Sequence, residues 1–198
     1  MKNRDAANGF TLIEMIVVIA VLVILAALVL PNLADTKSQS MSTTTSASLT
    51  AVRDAITDSA AGPGYFGDMG QLPATLKDLF VMPAGAVPFN PQTGRGWRGP
   101  YVLLSQTVSY AVDVSGKSGF TGAYGQSGDP APADAWMRPL VLQIPTAATT
   151  VADQKNFARL VSAGPDGFIQ TPADVLYPAP AARGDDLVLF LYRPDVPP

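Results

Sequence analysis

The sequence predicts an α+β protein: one long N-terminal helix followed by a small antiparallel sheet in a C-terminal head. Three observations predict it. An unbroken apolar run lies close to the N-terminus, and a Ser/Thr-rich tract with a weak helical stripe continues from it. Beyond that tract, short apolar segments alternate with Gly- and Pro-rich turn signals. A helix first and strands afterwards is the order of an α+β arrangement.

The apolar run is the first element. Hydrophobic residues make up 47% of the chain but are concentrated between Phe10 and Leu30, FTLIEMIVVIAVLVILAALVL, 21 residues with the single charge Glu14. A helix of that length spans about 31 Å, the thickness of a hydrocarbon core, so residues 10–30 are expected to cross a membrane. A cleaved secretory signal has an apolar region of about 7–15 residues followed by a small-x-small site. This run is longer, and Pro31-Asn32-Leu33-Ala34-Asp35 offers no such pair. The run is apolar all round, which weighs against a core helix that buries one apolar stripe and keeps a polar face. Lys2 and Arg4 precede the run, and Asp35 follows it before Lys37. Positive charge stays on the cytoplasmic side, so the N-terminus is expected inside and the head outside.

Glu14 is the anomaly within the run. A carboxylate at the centre of a membrane helix costs about 2.5–3.5 kcal/mol, less near an end, so such a residue calls for a partner. Glu14 lies one helical turn from Phe10. The plain alternative is a carboxylate that snorkels to the interface, which leaves Gly9 and Phe10 without explanation.

The boundary ahead of the run reads Asn8-Gly9-Phe10-Thr11-Leu12-Ile13-Glu14. It resembles the class III signal of type IV pilins and type II secretion pseudopilins, matching at Gly9, Phe10, Thr11, Leu12, Glu14 and Pro31. The resemblance implies cleavage after Gly9 by a prepilin peptidase/methyltransferase and N-methylation of Phe10. Losing Lys2, Arg4 and Asp5 would take the net charge from −3 to −4. The freed Phe10 amine of one subunit would then neutralise Glu14 of the next and set the axial register, as a lone polar group does in a coiled coil. The implied partners are other copies of the chain, minor pseudopilins, an inner-membrane assembly platform and membrane lipid. The implied location is a bacterial inner membrane with a periplasmic head.

After Pro31 the tract DTKSQSMSTTTSASLTAVRDAITDSAA covers residues 35–61. Leu49, Val52 and Ile56 form a helical stripe, and Gly62-Pro63-Gly64 ends it. Ser and Thr are poor helix formers, so a disordered linker is the alternative there. The expected organisation is a leader, 1–9; a membrane helix, 10–30; its periplasmic continuation, 31–61; and a head, 62–198. Within the head, Leu72–Phe80 reads as a short helix. Tyr101–Leu104, Val108–Val114, Leu140–Ile144, Phe157–Ser162 and Leu187–Tyr192 read as strands. Residues 115–135 read as a long surface loop, and the proline-rich tail 193–198 as irregular.

Three head segments are similar to the major pseudopilin of type II secretion: Gly96-Trp97-Arg98-Gly99-Pro100-Tyr101, Asp134-Ala135-Trp136-Met137-Arg138-Pro139-Leu140, and Ser162-Ala163-Gly164-Pro165-Asp166-Gly167 with Gly184-Asp185-Asp186-Leu187. Met137 departs from the glycine of that pattern. The aromatic residues Trp97, Tyr101 and Trp136 are expected in the core and the Gly-Pro pairs in turns.

The chemistry is narrow. A net charge of −3 argues against a nucleic-acid partner. The chain has no cysteine and no histidine, which removes disulfides, thiolate chemistry and the commonest general base and metal ligand. Ser115-Gly116-Lys117-Ser118 lacks the first glycine of a phosphate-binding loop, because position 111 is alanine. No catalytic residues are expected. Asp166, Asp185 and Asp186 are the candidate ligands of one Ca²⁺, with Ser162 or loop carbonyls completing the six to eight oxygens it takes. The resemblance implies such a site, and the alternative is an ordinary Pro-Asp-Gly turn. Two functions follow: a structural subunit of a secretion pseudopilus, or a minor type IV pilin or filament-associated adhesion or binding module.

Overall fold

The computed structural model describes residues 10–57, 62–102, 107–110, 120 and 124–192, with the backbone alone at 28–35. The leader with Gly9, the segment Ser115–Ser118 and the tail from residue 193 lie outside the described residues. The chain divides into two compact units, Met1–Ser40 and Met41–Pro198.

Helix α1 spans Leu12–Ile56. Its backbone is helical through Pro31 and through the whole Ser/Thr tract. Hydroxyls there bond back along the helix instead of competing with it: Ser46 Oγ donates to the Ser42 carbonyl and Thr50 Oγ1 to that of Ser46, both at 2.9 Å. The expected stripe is buried at Leu49, Val52 and Ile56, and Thr45 extends it one turn toward the N-terminus. Among the described residues no helix is long and apolar enough to cross a membrane. Side chains of the run 10–30 are described only from Phe10 to Ala27, and those are exposed.

The head carries helix α2 (Gly64–Met69), strand β1 (Thr107–Ser109), strand β2 (Pro130–Pro132), strand β3 (Val141–Gln143), helix α3 (Val151–Phe157), strand β4 (Arg159–Ser162) and strand β5 (Leu187–Phe190). Strands β3, β4 and β5 form an antiparallel sheet in that order, with Leu142 opposite Leu160 and Leu160 opposite Leu189. β1 and β2 form a separate antiparallel pair. The helix followed by small antiparallel sheets is the α+β architecture the sequence predicts.

Strand alternation divides the core in two. Leu142 and Leu160 join Leu49, Val52, Ile56, Tyr65, Leu76 and Leu79 on one face. Val141 and Val161 join Tyr110, Phe120, Ala131 and Ala163 on the other. Covered on both sides, β3 and β4 are buried at every position, the polar Gln143, Arg159 and Ser162 included.

Several local expectations are corrected. Phe157 belongs to α3, because Thr150 accepts the Asp153 N–H at 3.0 Å and starts a helix that ends just before β4. The helix expected over Leu72–Phe80 is a 3-10 turn at Leu76–Leu79, set by reciprocal Thr75–Asp78 capping. Tyr101 and Val102 are not in a strand, and β1 ends at Ser109. The expected surface loop 115–135 contains β2 and buries Ala131, Ala133 and Asp134. Trp97 and Tyr101 are half-buried against the first core, whereas Trp136 belongs to neither cluster.

Candidate functional site

Two places carry polar chemistry. The first is the start of α1. Thr11 precedes the helix, and the Glu14 carboxylate turns back to it. Glu14 Oε2 accepts the Thr11 N–H at 2.8 Å and the Thr11 hydroxyl at 2.7 Å, and the Thr11 hydroxyl oxygen accepts the Glu14 N–H at 3.4 Å. This is a capping box, Thr-x-x-Glu, which satisfies donors that a helix start leaves without partners. Glu14 therefore has a local, uncharged partner in Thr11, and its sequence signal is the Thr-x-x-Glu spacing. Phe10, Ile13, Glu14, Val17 and Val18 line one open apolar groove of the helix, and Phe10 is 79% exposed.

The second place is the connection from β4 to β5, which carries the three candidate aspartates. Asp185 Oδ2 accepts the Asp166 N–H at 3.1 Å. Asp166 accepts the Phe168 N–H at 2.7 Å and a Gln170 side-chain N–H. Asp186 Oδ2 accepts the N–H groups of Gln170 and Thr171 at 2.9 and 2.7 Å, and the Thr171 hydroxyl at 2.7 Å. Its other oxygen, Oδ1, is buried with no hydrogen-bond partner. Burial pushes the Asp186 carboxyl above its ordinary range, against the Thr171 and Gln170 donors that pull it down. A Cβ at Gly164 would lie 2.3 Å from the Asp185 carbonyl oxygen, and its φ is +58°, so this turn needs glycine.

Calcium takes six to eight oxygens, from carboxylates, carbonyls and water. The orphaned Asp186 Oδ1 is an oxygen of the right kind, and the loop carbonyls are the remaining source. Among the described residues no group of three or more acidic, His or Cys side chains converges for a metal ion. Ser162 is not a free ligand: its hydroxyl donates to Asp134 Oδ2 at 2.7 Å. The Asp134 turn is a structural knot, with Oδ1 accepting the N–H groups of Trp136 and Arg138 at 2.9 and 2.8 Å. Thr45 on α1 accepts the Ala135 N–H at 3.1 Å. Met137, at the position where glycine was expected, has φ 62° and is exposed.

Sequence reasoning passed over two buried charges. Asp68 is 1% exposed and takes a two-pronged contact from Arg98, at 3.0 and 2.7 Å, together with the Tyr101 hydroxyl at 3.0 Å. That cluster explains Arg98 and Tyr101 in the Gly-Trp-Arg-Gly-Pro-Tyr segment as structural. Arg159 is fully buried, and its signal was an arginine inside the apolar run Phe157–Ser162. An open groove of about 300 Å³ beside Arg98 and Tyr101 is lined also by Asp54, Gly99 and Pro100.

Comparison with known proteins finds one feature. No curated protein and no solved structure matches the chain. Residues 4–30 match the family model of the prokaryotic N-terminal methylation motif, so the chain carries the leader and helix start of type IV pilin-like proteins.

Proposed function

We propose that the chain is a structural subunit that polymerises through α1 into a periplasmic pseudopilus supporting type II secretion. The observation that carries this reading is the methylation motif over residues 4–30, joined to a helix whose apolar side chains from Leu12 to Leu25 are exposed all round. Such a surface needs lipid before assembly and neighbouring helices after it. In this reading the run 10–30 crosses the inner membrane with the head in the periplasm. The prepilin peptidase/methyltransferase processes the Gly9–Phe10 bond, and the assembly platform and minor pseudopilins guide polymerisation. The major-subunit role rests on the head segments around Trp97, Trp136 and Asp166. The second reading, a minor pilin or adhesion module, is favoured by Met137 in place of glycine.

Glu14 has two roles in this account, capping its own helix and pairing with the Phe10 amine of a neighbour. Two substitutions separate them. Gln serves as well as Glu in a capping box, so Glu14→Gln keeps the helix start and loses the charge, whereas Glu14→Leu loses both. Both variants are expected to insert in the membrane and to fail to form sedimentable filaments when produced with the assembly machinery. Filaments of normal yield from Glu14→Gln would refute the charge pairing and leave capping as the role of this residue.

We also propose that the β4–β5 connection binds one Ca²⁺ through Asp186, Asp185 and Asp166. The orphaned Asp186 Oδ1 supports this.

A further inference from the structure

The connection between β4 and β5, residues 163–186, contains only one 3-10 turn, Pro180–Ala182. Unstructured connections beyond about 12–15 residues are uncommon in compact domains and need something to hold them. We propose that this one is closed from inside by a guanidinium: Arg159 is a built-in cation that fixes the strap 171–177, so that the loop takes its shape with no metal bound.

The argument begins at the β3–β4 register, which sets Arg159 opposite Gln143. Both side chains are buried. Arg159 Nε donates to Gln143 Oε1 at 2.8 Å. Its Nη1 donates to the carbonyls of Val175 and Leu176 at 2.9 and 3.3 Å, and its Nη2 to that of Pro172 at 2.5 Å. Three main-chain oxygens of one short segment thus converge on one cation, the arrangement a bound metal would otherwise impose. No ion pair of Arg159 occurs among the described residues, so these dipoles are its compensation. Gln143 is locked in turn, its Nε2 donating to the Tyr124 hydroxyl at 2.9 Å and the Thr171 carbonyl at 3.1 Å. The planar fork matters: an ammonium is a point donor and cannot serve four acceptors spread around a plane. Arg138 does the same at the loop's beginning, donating to the Gly164 and Pro165 carbonyls. With Arg183, whose Nε donates to the Pro178 carbonyl at 3.1 Å, six carbonyls of the loop are taken by arginines.

Hydrogen exchange of the full chain in detergent tests the staple, and it does so whether or not the chain assembles. The reporters are the Gln170 and Thr171 amides, whose acceptor is Asp186 Oδ2. They are expected to stay protected in chelator. In Arg159→Lys they are expected to exchange at least about tenfold faster, the scale of a lost charged hydrogen bond, while the β4–β5 amides at the Ser162 end change less. Protection of the wild-type amides only when calcium is added would overturn the proposal, because the ion and not the guanidinium would then shape the loop. Arg159→Lys amides exchanging as in wild type would also overturn it. If Arg159→Lys does not fold, the wild-type comparison in chelator and in calcium decides alone.

Discussion

At the scale of single residues, Asp186 has the most to reveal. One of its oxygens takes three donors and the other takes none. Burial raises its folded pKa above the unfolded value. The sign follows by linkage: its contribution is fully present below the unfolded pKa and is lost as pH rises through the folded one. Asp186→Asn has no such loss, so in chelator its melting temperature should gain on wild type as pH climbs above about 4. Calcium at a hundredfold excess over its Kd should stabilise wild type at neutral pH by about 2.7 kcal/mol and leave Asp186→Asn unmoved. Equal melting of wild type in calcium and chelator would remove the metal site and leave a hydrogen-bonded turn. Met137 is a second strained point. A left-handed conformation costs a non-glycine residue about 1–2 kcal/mol, partly offset by the lower unfolded-state entropy relative to Gly, so Met137→Gly should raise stability by about 0.5–1 kcal/mol. A variant less stable than wild type in denaturant unfolding would show that the Met137 side chain contributes packing despite its exposure.

At the scale of elements, α1 meets the rest of the C-terminal unit through a stripe of Thr45, Leu49, Val52 and Ile56. The apolar members were legible from their spacing. Thr45 was not, because a hydroxyl breaks the hydrophobic pattern, and only the fold supplies its partner, the Ala135 N–H ninety residues away. Thr45→Val should cost about 1 kcal/mol by leaving that half-buried N–H without its partner. Exposed Ser46→Ala serves as the control and should be neutral or mildly stabilising by helix propensity. Equal unfolding midpoints for Thr45→Val and the control would contradict the bond. The same limit explains the other misses. β2, with prolines at both ends of Pro130-Ala131-Pro132, reads as loop because Pro is depleted in strands, and it survives as a short edge beside β1. α3 is seven residues long, too short for a periodic signal, and Thr150 with Asp153 is its only mark. Asp68 carries no sequence mark of burial and Arg159 only its place in an apolar run, because only the fold supplies the carbonyls and the arginine that surround them.

At the scale of the whole molecule, composition and the first thirty residues carried most of the functional reading. The leader, the apolar run and Glu14 form a pattern that the methylation-motif match over residues 4–30 restates. The acidic balance and the absence of His and Cys narrowed the chemistry. The head was legible as a helix followed by short antiparallel strands, but not in its two-sided core, because that depends on which loops cover β3 and β4. The central claim is that this chain is processed as a pilin-like precursor, and mass spectrometry of its mature N-terminus tests it most directly. Produced together with a prepilin peptidase, the chain should begin at Phe10 and carry one methyl group on its α-amine, while Gly9→Val should keep the leader and still insert. A wild-type chain that retains Met1–Gly9 under those conditions, or that is cut beyond the apolar run as a secreted protein would be, contradicts the account.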